Sequence, residues 1–276
     1  RPHPETSQPR DRETATMRLL QIDAFTSEPF KGNPAAVCFM DGARDDRWMA
    51  NVAAEMNLAE TAFLAPREDG WSLRWFTPAV EVDLCGHATL ASAHAIWSEN
   101  ISADEVLHFH TRSGVLTAKH DGDFIELDFP AKREEAIAAP AGLLDALGTA
   151  NASYVGRNQF DYLVELPSEA EVRALKPDHS VLRQLPVRGI IVTSRGSGRY
   201  DFISRFFAPG SGIDEDPVTG SSHCCLTPYW SQKLGKTEMN AYQASPRGGA
   251  IRVRLDGDRV KLAGQAVTVL RGELLV

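Results

Sequence analysis

Four side chains in this sequence are of types that could do proton chemistry: the carboxylates of Glu60 and Asp216, the thiol of Cys85 and the imidazole of His87. Glu60 lies in MNLAETAFLAP, at the start of a strand pattern, with Leu58, Ala59, Ala62 and Phe63 around it. A carboxyl group among apolar neighbours is poorly solvated, which suits it to taking up and returning a proton near neutral pH. The competing reading is an ordinary solvated glutamate at a loop–strand junction. His87 stands in Gly86-His87-Ala88-Thr89, at a helix start, and an imidazole titrates close enough to neutrality to shuttle protons. A structural histidine near a cap is its alternative. Cys85 is an acid/base thiol if the helix N-terminus lowers its pKa, and a small buried hydrophobe otherwise.

Asp216 belongs to a different pattern, Asp214-Glu215-Asp216-Pro217-Val218-Thr219-Gly220-Ser221-Ser222-His223. Three acids precede a small-residue turn that should open a helix, with Pro217 suited to its first turn. The free N–H groups of that turn would form a nest for a substrate carboxylate. Plain N-capping by Asp214 or Asp216 is the alternative. Metal binding has little support. His108 and His110 alternate on one strand and His223 adjoins Cys224 and Cys225, but neither group has the spacing of a tetrahedral site. The chain also lacks the glycine-rich nucleotide motifs and the GxSxG elbow of serine hydrolases.

The elements that must position these groups look duplicated. RWFTPAVEVDLCGHATLASAHAIW (74–97) and RFFAPGSGIDEDPVTGSSHCCLTPYW (205–230) both run from an Arg-aromatic-Phe-x-Pro strand into a helical pattern. Counting eleven residues from Arg74 and from Arg205 reaches Cys85 and Asp216, which predicts these two as matching tips on opposite walls of one cleft. Each copy continues to a DGD turn between alternating strands, Asp121-Gly122-Asp123 and Asp256-Gly257-Asp258, a hairpin signal. Upstream, Asp45 is expected to cap a helix with an apolar stripe of Trp48, Val52 and Met56, ending near Asn57. The domains predicted are 17–131 and 132–265, with 266–276 a terminal strand returning to the first. The polar, Pro-containing residues 1–16 read as a disordered extension.

The 276 residues are 43% hydrophobic and 24% charged, with a formal net charge of −8. That charge argues against a nucleic-acid partner. No apolar run approaches the roughly 18 residues of a membrane span and no signal peptide opens the chain, so a cytoplasmic location without membrane association is expected. The four cysteines lack a disulfide spacing, in keeping with reduced thiols.

QIDAFTSEPFKGNPAAV, NLAETAFL, RWFTPAVEVDLCGHATLA and DEDPVTGSSH, taken in order, resemble the PhzF-like family of phenazine-biosynthesis isomerases, over nearly all of Met17–Val276. The resemblance implies an α/β fold similar to diaminopimelate epimerase: two pseudo-symmetric domains, each a curved mixed sheet wrapped around a central helix. By motif, Glu60 matches the family's acid/base glutamate, His87 its Gly-His histidine, Asp216 its Glu-Asp-Pro aspartate and Ser221 the serine after Thr-Gly, with Gly86, Thr219 and Gly220 as substrate-binding positions. It implies a cofactor-independent, homodimeric isomerase that moves a carbon-bound proton in a small carboxylate-bearing metabolite, as in trans-2,3-dihydro-3-hydroxyanthranilate isomerase. Diaminopimelate epimerase uses two cysteines, and here only Cys85 falls at such a position. The alternatives kept open are a racemase or epimerase using Cys85, and a non-catalytic binding protein of the same fold.

Overall fold

The computed structural model describes residues 16–42 and 44–275. The extension expected over residues 1–16 lies outside them, apart from Thr16, which is already the first residue of a strand.

The first half of the chain runs β1 (Thr16–Ala24), β2 (Asn33–Phe39), α1 (Asp46–Met56), β3 (Glu60–Arg67), β4 (Gly70–Phe76), β5 (Glu81–Val82), α2 (Gly86–Ser98), β6 (Val106–Thr111), β7 (Gly114–Asp121) and β8 (Phe124–Pro130). After β9 (Glu135–Ala136) and α3 (Leu143–Leu147) come β10 (Tyr154–Arg157), β11 (Asp161–Glu165), α4 (Glu169–Ala174), α5 (His179–Leu182), β12 (Gly189–Arg195) and β13 (Phe202–Phe207). The chain then forms α6 (Gly220–Leu234), β14 (Glu238–Gln243), β15 (Gly249–Asp256), β16 (Arg259–Gly264) and β17 (Ala266–Leu275).

Strand sense shows the duplication directly. Along β1-β2-β3-β4-β6-β7-β8 the successive pairs are antiparallel, parallel, antiparallel, parallel, antiparallel and antiparallel. Along β10-β11-β12-β13-β14-β15-β16 the same senses recur in the same order. A parallel pair needs a long crossover, and α2 and α6 occupy the matching crossovers, β4 to β6 and β13 to β14. β8 pairs antiparallel with β16, Leu127 opposite Leu262, and joins the halves into one mixed sheet. The ends are exchanged: β9 leaves the first half to pair with β10, and β17 leaves the second to pair with β1. The molecule thus has the α/β fold of the diaminopimelate epimerase type, two pseudo-symmetric domains of curved mixed sheet around a central helix.

Local sequence explains the elements. Both DGD segments close hairpins, pairing Asp121 with Phe124 and Asp256 with Arg259, with Gly122 and Gly257 at φ near 60° as such turns require. The Asp45 side chain accepts the Trp48 N–H to start α1, and Asn57 at φ 50° ends it. The buried stripe of α1 is Met49, Val52 and Ala53, with Trp48 and Met56 at its margins. Central helices α2 and α6 are instead buried around most of their circumference, as helices wrapped by sheet must be. Pro228 inside α6 cannot donate to Cys224 O, and the Lys132 N–H from the connecting segment takes that carbonyl at 2.9 Å. Apolar residues of α2 and α6 share one continuous core, while α1 and the α3–α5 group cover the outer faces of the two sheets. Among the described residues no helix is long and apolar enough to cross a membrane.

Candidate active site

Strand alternation aims two polar side chains at α2. In β2, Ala35 and Val37 face the core shared with α2, whereas Ala36 and Cys38 face α1; in β3, Ala62 and Leu64 face α2 and Phe63 faces α1. The two-residue period therefore sends Asn33 and Glu60 to the α2 side. Because β2 and β3 run parallel with Ala35 opposite Glu60, both begin at the same end of the sheet. His87, in the first turn of α2, meets them there.

The His87 ring lies between two sets of partners. Nε2 is 3.2 Å from Glu60 Oε2. Nδ1 is 3.2 Å from Asn33 Nδ2 and 3.5 Å from Cys85 Sγ. The orientation of the Asn33 amide is fixed by its other contacts, since Nδ2 donates to Asp216 Oδ1 and to Val218 O, both at 2.8 Å. Facing an amide donor and a thiol, Nδ1 of a neutral His87 is the acceptor, so the ring proton sits on Nε2, toward Glu60. The Glu60–His87 approach is a charge contact rather than an aligned hydrogen bond. Glu60 Oε2, His87 Nε2 and Asn33 Oδ1 are buried without hydrogen-bond partners among the described residues. Buried polar atoms are nearly always paired, so Glu60 Oε2 and His87 Nε2, facing each other at 3.2 Å, retain hydrogen-bonding capacity.

Charges in this cluster are coupled. Burial alone would lower the pKa of His87, but the acidic neighbours Cys85 and Glu60 more than reverse it, and the net direction is well upward. Burial, reinforced by the nearby Glu60 and opposed by His87, pushes the Cys85 thiol up. Burial also raises Asp216, with Glu60 adding to the shift and His87, Thr219 and Asn33 opposing it. Ligand atoms of Glu60, Cys85 and His87 all lie within 4.8 Å of one another, close enough to consider a metal ion. The thiol and the carboxylate, however, address different nitrogens of one ring, which does not gather three ligands on one ion.

The helix starts complete the site. α1, α4 and α5 are each capped by a side chain, from Asp45, Ser168 and Asp178, and the short α3 starts uncapped at Gly142; the central helices α2 and α6 likewise have no side-chain cap, at Cys85 and Thr219. Their N-termini meet, since a Cβ added to Gly86 would lie 3.4 Å from Gly220 Cα. First-turn N–H groups have no partner within a helix and favour negative charge, so two starts brought together without a side-chain cap favour negative charge between them. Thr219 enters this site through its hydroxyl, which donates to Asp216 Oδ2, while its N–H is taken by Gln243 Oε1 at 2.9 Å. Ser221, one residue into α6, has its hydroxyl 3.0 Å from Arg188 Nη1, and Arg188 is clamped on both oxygens of the buried Asp161.

The register of the repeat differs from the count of eleven. Arg74 forms a two-pronged pair with Glu81, five residues before Gly86, and Arg205 forms the same pair with Glu215, five residues before Gly220. Cys85 therefore matches Thr219, and Asp216 matches Val82. Three extra residues lie between Arg205 and Glu215, and a count from the arginines cannot see them. The acids Asp214, Glu215 and Asp216 do three separate things: Asp214 reaches the exposed Arg183, Glu215 holds Arg205, and Asp216 joins the site. Sequence reasoning missed Asn33, Gln243 and Arg188 because amides and a lone arginine carry no spacing signal. Asn33 was nonetheless inside one of the family-like segments, as the asparagine of Lys-Gly-Asn-Pro.

Comparison with known proteins agrees with this architecture. An uncharacterised isomerase of Halalkalibacterium halodurans is 58% identical over 264 residues, covering 95% of this chain and 99% of that protein. The crystal structure of a PhzF-family protein from Enterococcus faecalis superposes with a TM-score of 0.92 at 40% identity, covering 95% of this chain and all of the other. A predicted epimerase of Pseudomonas aeruginosa shares the fold at a TM-score of 0.73 and 22% identity, over 94% of this chain and 99% of its own. With residues 22–272 matching the family model described as phenazine biosynthesis-like protein, the chain belongs to the PhzF family.

Proposed function

We propose that the protein is an isomerase that moves a proton between carbons of a small, carboxylate-bearing metabolite by acid/base chemistry, without a cofactor. The observation that carries this reading is the Glu60 carboxylate lying 3.2 Å from His87 Nε2, both atoms buried and without a hydrogen-bond partner, beside two uncapped helix starts. The substrate carboxylate is received by the first-turn N–H groups at Gly86 and Gly220 and by the Ser221 hydroxyl. Glu60 removes a proton from carbon, and the C–H bonding pair moves into the adjacent π-system. The resulting carboxylic acid returns the proton at a different carbon, so nothing is oxidised and no atom is lost. His87, with its proton held on Nε2, and Asp216 bind the amino or hydroxyl substituent of the substrate and support charge as it develops.

Relatives named as isomerases support the reaction type. The dihydro-hydroxyanthranilate class is the substrate type proposed, because a ring carboxylate with a neighbouring amino group would meet both the helix starts and the Asp216–His87 pair. The test is incorporation of solvent deuterium into candidate ring carboxylates. Glu60→Gln is expected to lower incorporation by roughly 10²-fold or more while ligand binding and folding persist, and Cys85→Ala is expected to retain activity. Undiminished exchange in Glu60→Gln removes that residue from the mechanism. Complete loss in Cys85→Ala transfers the chemistry to a racemase using the thiol.

A further inference from the structure

A cavity of about 430 Å³ lies outside the centre just described, and none of Glu60, His87, Asp216 or Ser221 lines it. Its walls come from the loop between β1 and β2, the β7–β8 turn, the loop before β13, strand β14 and the start of β15. The volume is within the range of roughly 300–1,000 Å³ typical of small-molecule pockets. The charge of its lining is opposite to that of the molecule. Lys31, Arg199, Arg247 and Arg252 face one carboxylate, Glu28, in a chain whose formal net charge is −8.

The cations differ in how they are held. Arg247 is part of the scaffold: it pairs with the buried Asp23 at 2.8 Å and donates to Gly32 O and Lys31 O. Lys31, Arg199 and Arg252 take part in no ion pair among the described residues, yet two of them are fixed in position by aromatic faces. The Arg252 guanidinium lies 3.6 Å over the Phe124 ring and that of Arg199 lies 4.8 Å over Tyr200, whose ring packs 5.0 Å from Tyr242. Stacking holds a guanidinium by its face and leaves its N–H edge free for oxygen atoms. Three unpaired cations lining one cavity with a single carboxylate, Glu28, repel one another, and the arrangement becomes more favourable when a group bearing more than one negative charge lies among them. A single carboxylate leaves most of that repulsion in place; a phosphate or diphosphate removes it and accepts several N–H donors at once.

We propose that this cavity is a second ligand site, taking a phosphate-bearing small molecule through Lys31, Arg199 and Arg252. It is tested by isothermal titration of the full chain with inorganic pyrophosphate, ionic strength being held constant with chloride. One saturable site per chain is expected. Arg199→Ala and Arg252→Ala should each weaken binding at least about fivefold, and reversing both charges should leave none. His87→Asn, which alters the other anion-attracting centre, should bind pyrophosphate like the parent chain. Binding that survives the double reversal, or that disappears in His87→Asn, overturns the proposal. In the unaltered chain, pyrophosphate should protect Arg199 and Arg252 from phenylglyoxal, read residue by residue by mass spectrometry; equal modification with and without pyrophosphate also overturns it.

Discussion

Asn33 has two donor hydrogens and meets three polar groups: the Asp216 carboxylate, the Val218 carbonyl and Nδ1 of His87. Among the described residues it is the one side chain hydrogen-bonded to both the acid from the second half and the imidazole from the first, so it sets the distance between them. Asn33→Ala is expected to destabilise the protein by about 1–3 kcal/mol, because buried acceptors lose their donor, and to lower turnover through the displaced His87. Urea unfolding and deuterium incorporation measure the two effects, and an unchanged unfolding midpoint would mean that the neighbours repair the loss. His87 gives a pH prediction. Its pKa is higher in the folded chain than the ordinary value, so the folded state holds the proton more tightly than the unfolded state does. That stabilisation is complete below the unfolded value of about 6.5 and is lost as pH rises through the higher folded value. His87→Asn should therefore abolish part of the decline of the urea midpoint as pH rises above the ordinary imidazole value; an identical decline in the variant would assign it to other groups. Glu60 and His87 could be singled out from sequence because their types and apolar surroundings are unusual together. Asn33 could not, since its importance comes from what three separate segments bring to it.

The loop between β1 and β2 is bent by left-handed residues, Phe25, Phe30 and Gly32, with φ between 63° and 68°. It delivers Asn33 to the site, and Arg247 ties its last carbonyls to the second half. At Gly32 both backbone angle and space demand glycine, since a Cβ there would lie 2.1 Å from Ala24 O. Gly32→Ala is expected to cost about 1–3 kcal/mol and to lower turnover by displacing Asn33; thermal melting with a parallel activity assay checks both. Full activity would show that the loop can shift without moving its end. Elements with local signals could be read in advance: the Asp45 cap, the DGD hairpins and the two central helices. The three-residue offset between the repeats could not, because the Arg74–Glu81 and Arg205–Glu215 pairs that fix the register are seen only when the side chains are in place.

Across the whole molecule, the site belongs to neither half. The first contributes Asn33, Glu60 and His87; the second contributes Asp216 and the start of α6. The halves are also bound by the exchange of β9 and β17. Deleting residues 266–275 removes the partner that pairs along the length of β1, and the shortened chain is expected to lose cooperative unfolding, read by circular dichroism and tryptophan fluorescence. A sharp transition at the original midpoint would show that β17 contributes nothing to the first half. The repeat could be read from sequence, whereas the strand sense that proves it arises from long-range pairing.

The exchanged ends have a genetic consequence. A gene carrying one half alone would encode a polypeptide whose final strand has no home of its own, and two such polypeptides would satisfy each other by trading ends. A symmetric pair of that kind is bound to present the same residues twice. Joined in one chain, the halves are free to diverge, so that a histidine stands on one helix where a serine stands on the other.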